Sequence, residues 1–217
     1  MSEPVRVAVV DDDALVRSAL VMMLDGADGI SVVAEAADGG EVPGMLDQHP
    51  VDVVLMDLRM PRVDGVTATA RLRARPGAPQ VLVLTTFDTD EEILGALRAG
   101  AGGYLLKDTP PPRIAEAVRR AAAGEPTLSP SVLRRLVEHA VDHAGTADAA
   151  RARLARLSDR EREIVAAVGR GLTNAQIAAE LYVSVATVKA HVSQVLTTLD
   201  LGNRTQVALL AHDAGLT

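Results

Sequence analysis

The first half of the chain alternates two hydrophobic patterns. Short, nearly unbroken apolar runs at 5–10, 30–35, 51–56, 81–85 and 103–106 read as parallel strands buried on both faces. Between them, stretches at 14–24, about 40–48, 65–75, 90–99 and 112–123 read as helices, the last with proline in its first turn, where a missing N–H does no harm. Five β/α units with right-handed crossovers predict a doubly wound α/β sheet of order 2-1-3-4-5. In that order the ligand crevice lies between the carboxyl ends of the first and third strands.

Beyond Gly124-Glu125-Pro126 the pattern changes. Residues 131–144 are expected to form a linker helix and 144–147 a mobile, small-residue joint. After Leu157 the strand signals stop, and helices are predicted at 159–169, 174–181, 185–199 and 204–214, with Ser158, Asn174 (with Thr173), Ser184 and Asn203 at their starts as caps. In the 185–199 helix Val188, Val192, Val195, Leu196 and Leu199 form one apolar stripe. The opposite face carries Ala186, Thr187, Ala190, Ser193, Gln194 and Thr197, with Lys189 at its edge. Of these, Thr187, Lys189, Ala190, Ser193 and Gln194 are the candidates to meet base edges and phosphates. His191 falls nearer the buried flank and is read as structural.

Composition narrows the classes. At 217 residues with 48% hydrophobic content, two modest packed domains or one large one are expected rather than disorder. No cysteine is present, which excludes disulfides and thiolate metal sites. No apolar run approaches the roughly 18 residues that span a bilayer, and the N-terminus lacks a secretion pattern, so a cytoplasmic protein without membrane partners is expected. The net charge of −7 is uneven: residues 1–124 carry 12 basic and 19 acidic side chains, and residues 148–217 carry 8 and 7. A near-neutral back half has little of the electrostatic advantage that phosphate contacts usually supply.

The acidic residues converge on the crevice. The first strand stops at Asp11-Asp12-Asp13 and the third at Asp57, while the fourth ends on Thr85 and the fifth on Lys107. Carboxylates at two adjacent strand ends suit Mg²⁺. Asp57 is then the candidate nucleophile for a phosphoryl group, with Thr85 and Lys107 able to meet its oxygens. Asp13 is better read as the cap of the first helix.

Residues 5–123 resemble the receiver domain of two-component response regulators, through Val9-Val10-Asp11-Asp12, Met56-Asp57-Leu58-Arg59-Met60-Pro61 with Asp64-Gly65, Leu84-Thr85-Thr86 and the segment from Ala99 to Lys107. The resemblance implies a flavodoxin/CheY-like sheet with Asp57 as phosphoacceptor. It implies Mg²⁺ on Asp12, Asp57 and the Arg59 carbonyl, with Asp11 acting through water, Thr85 and Tyr104 as switch residues, and Lys107 as the phosphate's partner. Arg59 and Phe87, each two residues past a key group, are expected to crowd the path of water to the acyl phosphate and slow its hydrolysis.

Residues 154–216 resemble the LuxR-type output domain, through Leu157-Ser158-Asp159-Arg160-Glu161-Arg162-Glu163, the segment from Gly171 to Ala178, and the segment from Val183 to Val192. Together the two halves resemble the NarL/FixJ class, which implies a DNA-binding regulator controlled by a sensor histidine kinase, a homodimer when phosphorylated, and not an enzyme. The expected division is a receiver at 1–124, a linker with a helix at 125–152 and a helix-turn-helix domain at 153–217. Lys189 is the one strong cation on the exposed helix, which predicts modest affinity per half-site. Two alternatives are a phosphorylation-independent DNA-binding regulator and an aspartyl-nucleophile phosphatase. Arg59 argues against the latter, because haloacid-dehalogenase-like enzymes place a second Asp there.

Overall fold

Strands β1 (Val5–Val10), β2 (Ile30–Ala36), β3 (Val53–Met56), β4 (Gln80–Thr85), β5 (Gly103–Leu106) and β6 (Thr127–Leu128) form one parallel sheet ordered β2-β1-β3-β4-β5-β6. This is the expected 2-1-3-4-5 order with one two-residue strand added at the edge. The computed structural model describes residues 3–27, 29–86, 89–125, 127–128, 132 and 147–216, in two units comprising residues 1–132 and 133–217. The linker helix expected at 131–144 lies outside the described residues, Val132 apart.

In the first unit, helices α1 (Ala14–Leu24), α2 (Val42–Gln48), α3 (Gly65–Arg73), α4 (Asp90–Arg98) and α5 (Pro111–Ala122) alternate with the strands. Side-chain parity divides the core. Val7, Val9, Val53, Leu55, Leu82 and Leu84 pack with Leu20 and Leu24 of α1 and Ile114 and Val118 of α5. Ala8, Val10, Val54 and Met56 pack on the other face with Val42 and Met45 of α2 and Ala68 and Leu72 of α3. Both faces are covered, as the unbroken apolar runs require. β3 starts two residues later than its apolar run because the Asp52 carboxylate, rather than a ladder carbonyl, takes the Arg6 amide at 2.8 Å.

The second unit is helical: α6 (Ala147–Leu154), α7 (Asp159–Gly169), α8 (Asn174–Glu180), α9 (Val185–Leu199) and α10 (Arg204–Asp213). Its core gathers Ile164, Val165 and Val168 of α7, Ile177 of α8, Val188, Val195 and Leu199 of α9, and Val207 and Leu210 of α10. Ser158 and Thr173 form reciprocal capping boxes with Glu161 and Gln176, and Ser184 and Asn203 cap α9 and α10. Thr173, not Asn174, is therefore the cap of α8. Helix α6 was not anticipated. It joins the core through Ala150 and Leu154, and Arg153 Nη2 donates to the Leu199 carbonyl at 2.6 Å. Among the described residues no helix is long and apolar enough to cross a membrane.

Candidate phosphoacceptor pocket and nucleic-acid interface

The β1 and β3 ends lie side by side because Val10 pairs with Met56, and the Asp57 amide extends that ladder by donating to Val10 O at 2.9 Å. One carboxylate oxygen from each of Asp11, Asp12 and Asp57 falls within 4.8 Å of the others. Asp11 and Asp57 are buried and Asp12 is exposed. Lys107 arrives from the β5 end, where its amide donates to Thr85 O at 2.8 Å. Its Nζ lies 2.6 Å from Asp11 Oδ2 and 3.1 Å from Asp57 Oδ2. The other Asp57 oxygen accepts from the Leu58 amide at 2.9 Å.

Burial pushes the Asp11 carboxyl above the usual carboxylate range, with the Asp57 charge adding to it and Lys107 offsetting only part. Burial alone would lower the Lys107 ammonium, but the hydrogen bond to Asp11 and the charges of Asp57 and Asp11 carry it above its ordinary value. Three carboxylates around one ammonium leave the pocket with excess negative charge. An all-oxygen donor set at this spacing fits a hard divalent cation. The acidic pocket can therefore bind a metal.

Thr85 and Tyr104 are fully buried on the neighbouring strands β4 and β5, where Leu106 pairs with Thr85 and Tyr104 with Val83. Gly65 starts α3 hard against the loop that follows β3. A Cβ there would stand 2.0 Å from Asp57 O, and the Gly65 amide donates to Leu58 O at 2.9 Å. Asp13 caps α1 by accepting from Leu15 and Val16, as expected. Arg59 extends its exposed side chain to Glu92 of α4, with Nη2 2.9 Å and Nε 3.0 Å from Oε1. Phe87 lies outside the described residues.

Two partners of the pocket went unread in the sequence. Glu92 holds Arg59 across 33 positions, and Arg17 of α1 donates to Asp11 O at 2.7 Å. Neither contact has a spacing signal, since both depend on the sheet bringing distant loops together.

In the second unit α8, a tight turn and α9 form a helix-turn-helix. Val188, Val195 and Leu199 are buried, and Lys189, Ala190, Ser193 and Gln194 are exposed on one face. Thr187 is half-buried, its hydroxyl 2.8 Å from Ser184 Oγ within the cap. Gln194 Nε2 donates to Thr198 Oγ1 at 3.3 Å. His191 is half-buried.

Residues 7–119 match the model of the response regulator receiver domain, and residues 155–211 match that of the bacterial regulatory proteins of the luxR family. The transcriptional regulatory protein LiaR of Bacillus subtilis is 36% identical over 215 residues, covering 96% of this chain and 97% of the relative. The crystal structure of ChrA, a response regulator of a heme-sensing two-component system, aligns over 100% of both chains at 39% identity with a TM-score of 0.54. A structure of two RcsB dimers bound to two parallel DNAs covers 99% of this chain and 100% of that one at 22% identity and a TM-score of 0.56, a likeness of fold alone. The relatives are transcriptional regulators rather than enzymes. The chain belongs to the response regulators of two-component systems, with a receiver domain followed by a LuxR-type DNA-binding domain.

Proposed function

We propose that Asp57 accepts a phosphoryl group from a sensor histidine kinase and that the acyl phosphate drives dimerisation on DNA. The observation that carries this reading is the convergence of Asp11, Asp12, Asp57 and Lys107 at the β1, β3 and β5 ends. An Asp57 oxygen attacks phosphorus, the bond to the kinase imidazole nitrogen breaks, and the imidazole leaves. Asp11, Asp12, Asp57 and the Arg59 carbonyl would hold Mg²⁺, which would supply charge neutralisation for the phosphoryl oxygens. Lys107 stays on the phosphoryl group as its counter-charge.

The new group adds charge and acceptor oxygens at a buried position. The Thr85 hydroxyl and the Tyr104 ring report it to the α4–β5 face. In the output domain, Thr187, Lys189, Ala190, Ser193 and Gln194 of α9 meet the major groove. The receiver is assigned to residues 1–124, the linker to 125–152 and the output domain to 153–217. Helix α6, whose Ala150 and Leu154 lie in the output core, travels with the output domain. The protein works in the cytoplasm.

The test is sizing and DNA binding of the wild type and Asp57→Ala, with and without a small-molecule phosphodonor and Mg²⁺. The wild type is expected to shift to dimer and bind more tightly with the donor, and Asp57→Ala to stay unresponsive. A wild type that binds DNA but ignores the donor supports instead a regulator that works without phosphorylation.

A further inference from the structure

The chain contains one Phe, two Tyr and no Trp, and its two tyrosines are treated in opposite ways. Tyr104 is fully buried, whereas Tyr182 is 95% exposed. Tyr182 also has φ +55, in the left-handed region that a bulky side chain rarely occupies. It sits just past the end of α8, where the Val183 amide reaches back to Ala178 O at 3.0 Å to close the helix.

Among the described residues the same six-residue closure ends five other helices. Ala101 reaches Ala96, Glu125 reaches Arg120, Leu172 reaches Ala167, Leu216 reaches Ala211, and Leu201 reaches Leu196. In the first four the left-handed residue is a glycine, at positions 100, 124, 171 and 215. In the fifth it is Asp200, whose short polar side chain tolerates that conformation. At Tyr182 alone the position holds a large ring. Backbone preference opposes the residue, and burial does not offset the cost. The turn that carries it is held from α7, where Arg160 Nη2 donates to Leu181 O at 2.8 Å.

We infer that Tyr182 is a DNA-contacting residue whose phenol donates to a backbone phosphate beside the major groove, fixing the angle at which α9 enters. The inference rests on the proposed DNA-binding face of α9 and extends it by one residue that the groove-facing pattern did not include. The joint between the two helices of a helix-turn-helix lies where the first crosses the backbone and the second enters the groove. Tyrosine hydroxyls at such places position the protein without reading sequence. A neutral phenol releases no counterion, so its contribution is independent of salt, unlike that of Lys189.

The experiment uses the full chain and a labelled duplex of arbitrary sequence, about 30 bp or roughly three helical turns long, with anisotropy read across a salt series. Tyr182→Gly is expected to weaken binding about tenfold, the value of one hydrogen bond to a charged group, with the slope of log affinity against log salt unchanged. Tyr182→Phe is expected to lose most of the same factor, and Lys189→Gln to reduce the slope by about one. Because glycine suits the left-handed position, Tyr182→Gly is expected to melt at or above the wild-type temperature. Wild-type affinity in Tyr182→Gly overturns the contact. So does a loss in Tyr182→Gly that Tyr182→Phe does not share, which would assign the effect to the ring, and so does a lower melting temperature in Tyr182→Gly. A wild type that binds no duplex overturns the DNA reading of α9 itself.

Discussion

Asp52 shows how one side chain can stand in for a stretch of ladder. Its carboxylate accepts the Arg6 amide at 2.8 Å, Nε at 3.0 Å and Nη2 at 2.7 Å. The side-chain hydrogen bond from Arg6 holds the carboxyl below the usual carboxylate range, against the opposing effect of burial. A depressed folded-state pKa gives stability that is present above the unfolded value, about 3.9, and lost as pH falls through the folded one. Both side chains are well exposed, 43% and 35%, and solvent screens the pair. Asp52→Asn is therefore expected to lower the melting temperature of the first unit by only about 2–4 °C at pH 7. The difference should close in acid, as pH falls through the folded-state value and the wild-type carboxylate is protonated. Thermal melts at the two pH values check this, and a difference that persists in acid would refute the linkage. The sequence shows the acid and the base but not their pairing, which spans 46 positions.

At the scale of elements, the loop after β3 is tied to the first turn of α4. Glu92 accepts from Arg59 and also from Thr89 Oγ1 at 2.6 Å, and Thr89 caps α4. Arg59 and Glu92 line the same open groove of about 530 Å³ as Asp12 and Leu58, so the guanidinium is held at the mouth of the acidic pocket. Arg59→Ala is expected to open the path of water and shorten the lifetime of the Asp57 phosphate on the order of threefold to tenfold, a barrier change near 1 kcal/mol. Loss of label from phosphorylated protein in Mg²⁺ measures it, and an unchanged half-life would reject the steric account. The bulk of Arg59 was legible in the sequence. The ion pair that stations it was not, because α4 reaches Arg59 only through the crossover that places it beside β4 and β5. Elements with dense apolar patterns were legible nearly to the residue. Helix α6 was not, since Ala-Asp-Ala-Ala-Arg-Ala-Arg-Leu has a single large apolar side chain and owes its helicity to a core supplied by other segments.

For the whole molecule, charge limits the affinity that one output domain can reach. The net charge is −7, and Lys189 is the one Lys or Arg on α9. On the proposed function, useful occupancy comes from two domains acting together, with the second binding event made effectively intramolecular. On duplexes recovered by in vitro selection, the phosphorylated chain is expected to bind paired half-sites about 10.5 bp apart on the order of a hundredfold more tightly than a single half-site. The unphosphorylated chain should show little such difference. Anisotropy titrations of the two duplexes decide it, and equal affinities for the phosphorylated chain would reject the paired-site account.

By itself the sequence determined the fold class, the strand order and the clustering of Asp11, Asp12, Asp57 and Lys107. Apolar periodicity and right-handed crossovers leave few topologies, and strand ends inherit their position from the sheet. The tertiary structure alone decided the bond lengths from Lys107 to two carboxylates, the station of Arg59 on Glu92, the docking of α6 and the left-handed backbone of Tyr182. Each of these depends on the distance or conformation of groups that local pattern does not encode. They arise where separate segments meet, or where a helix must end to meet the next.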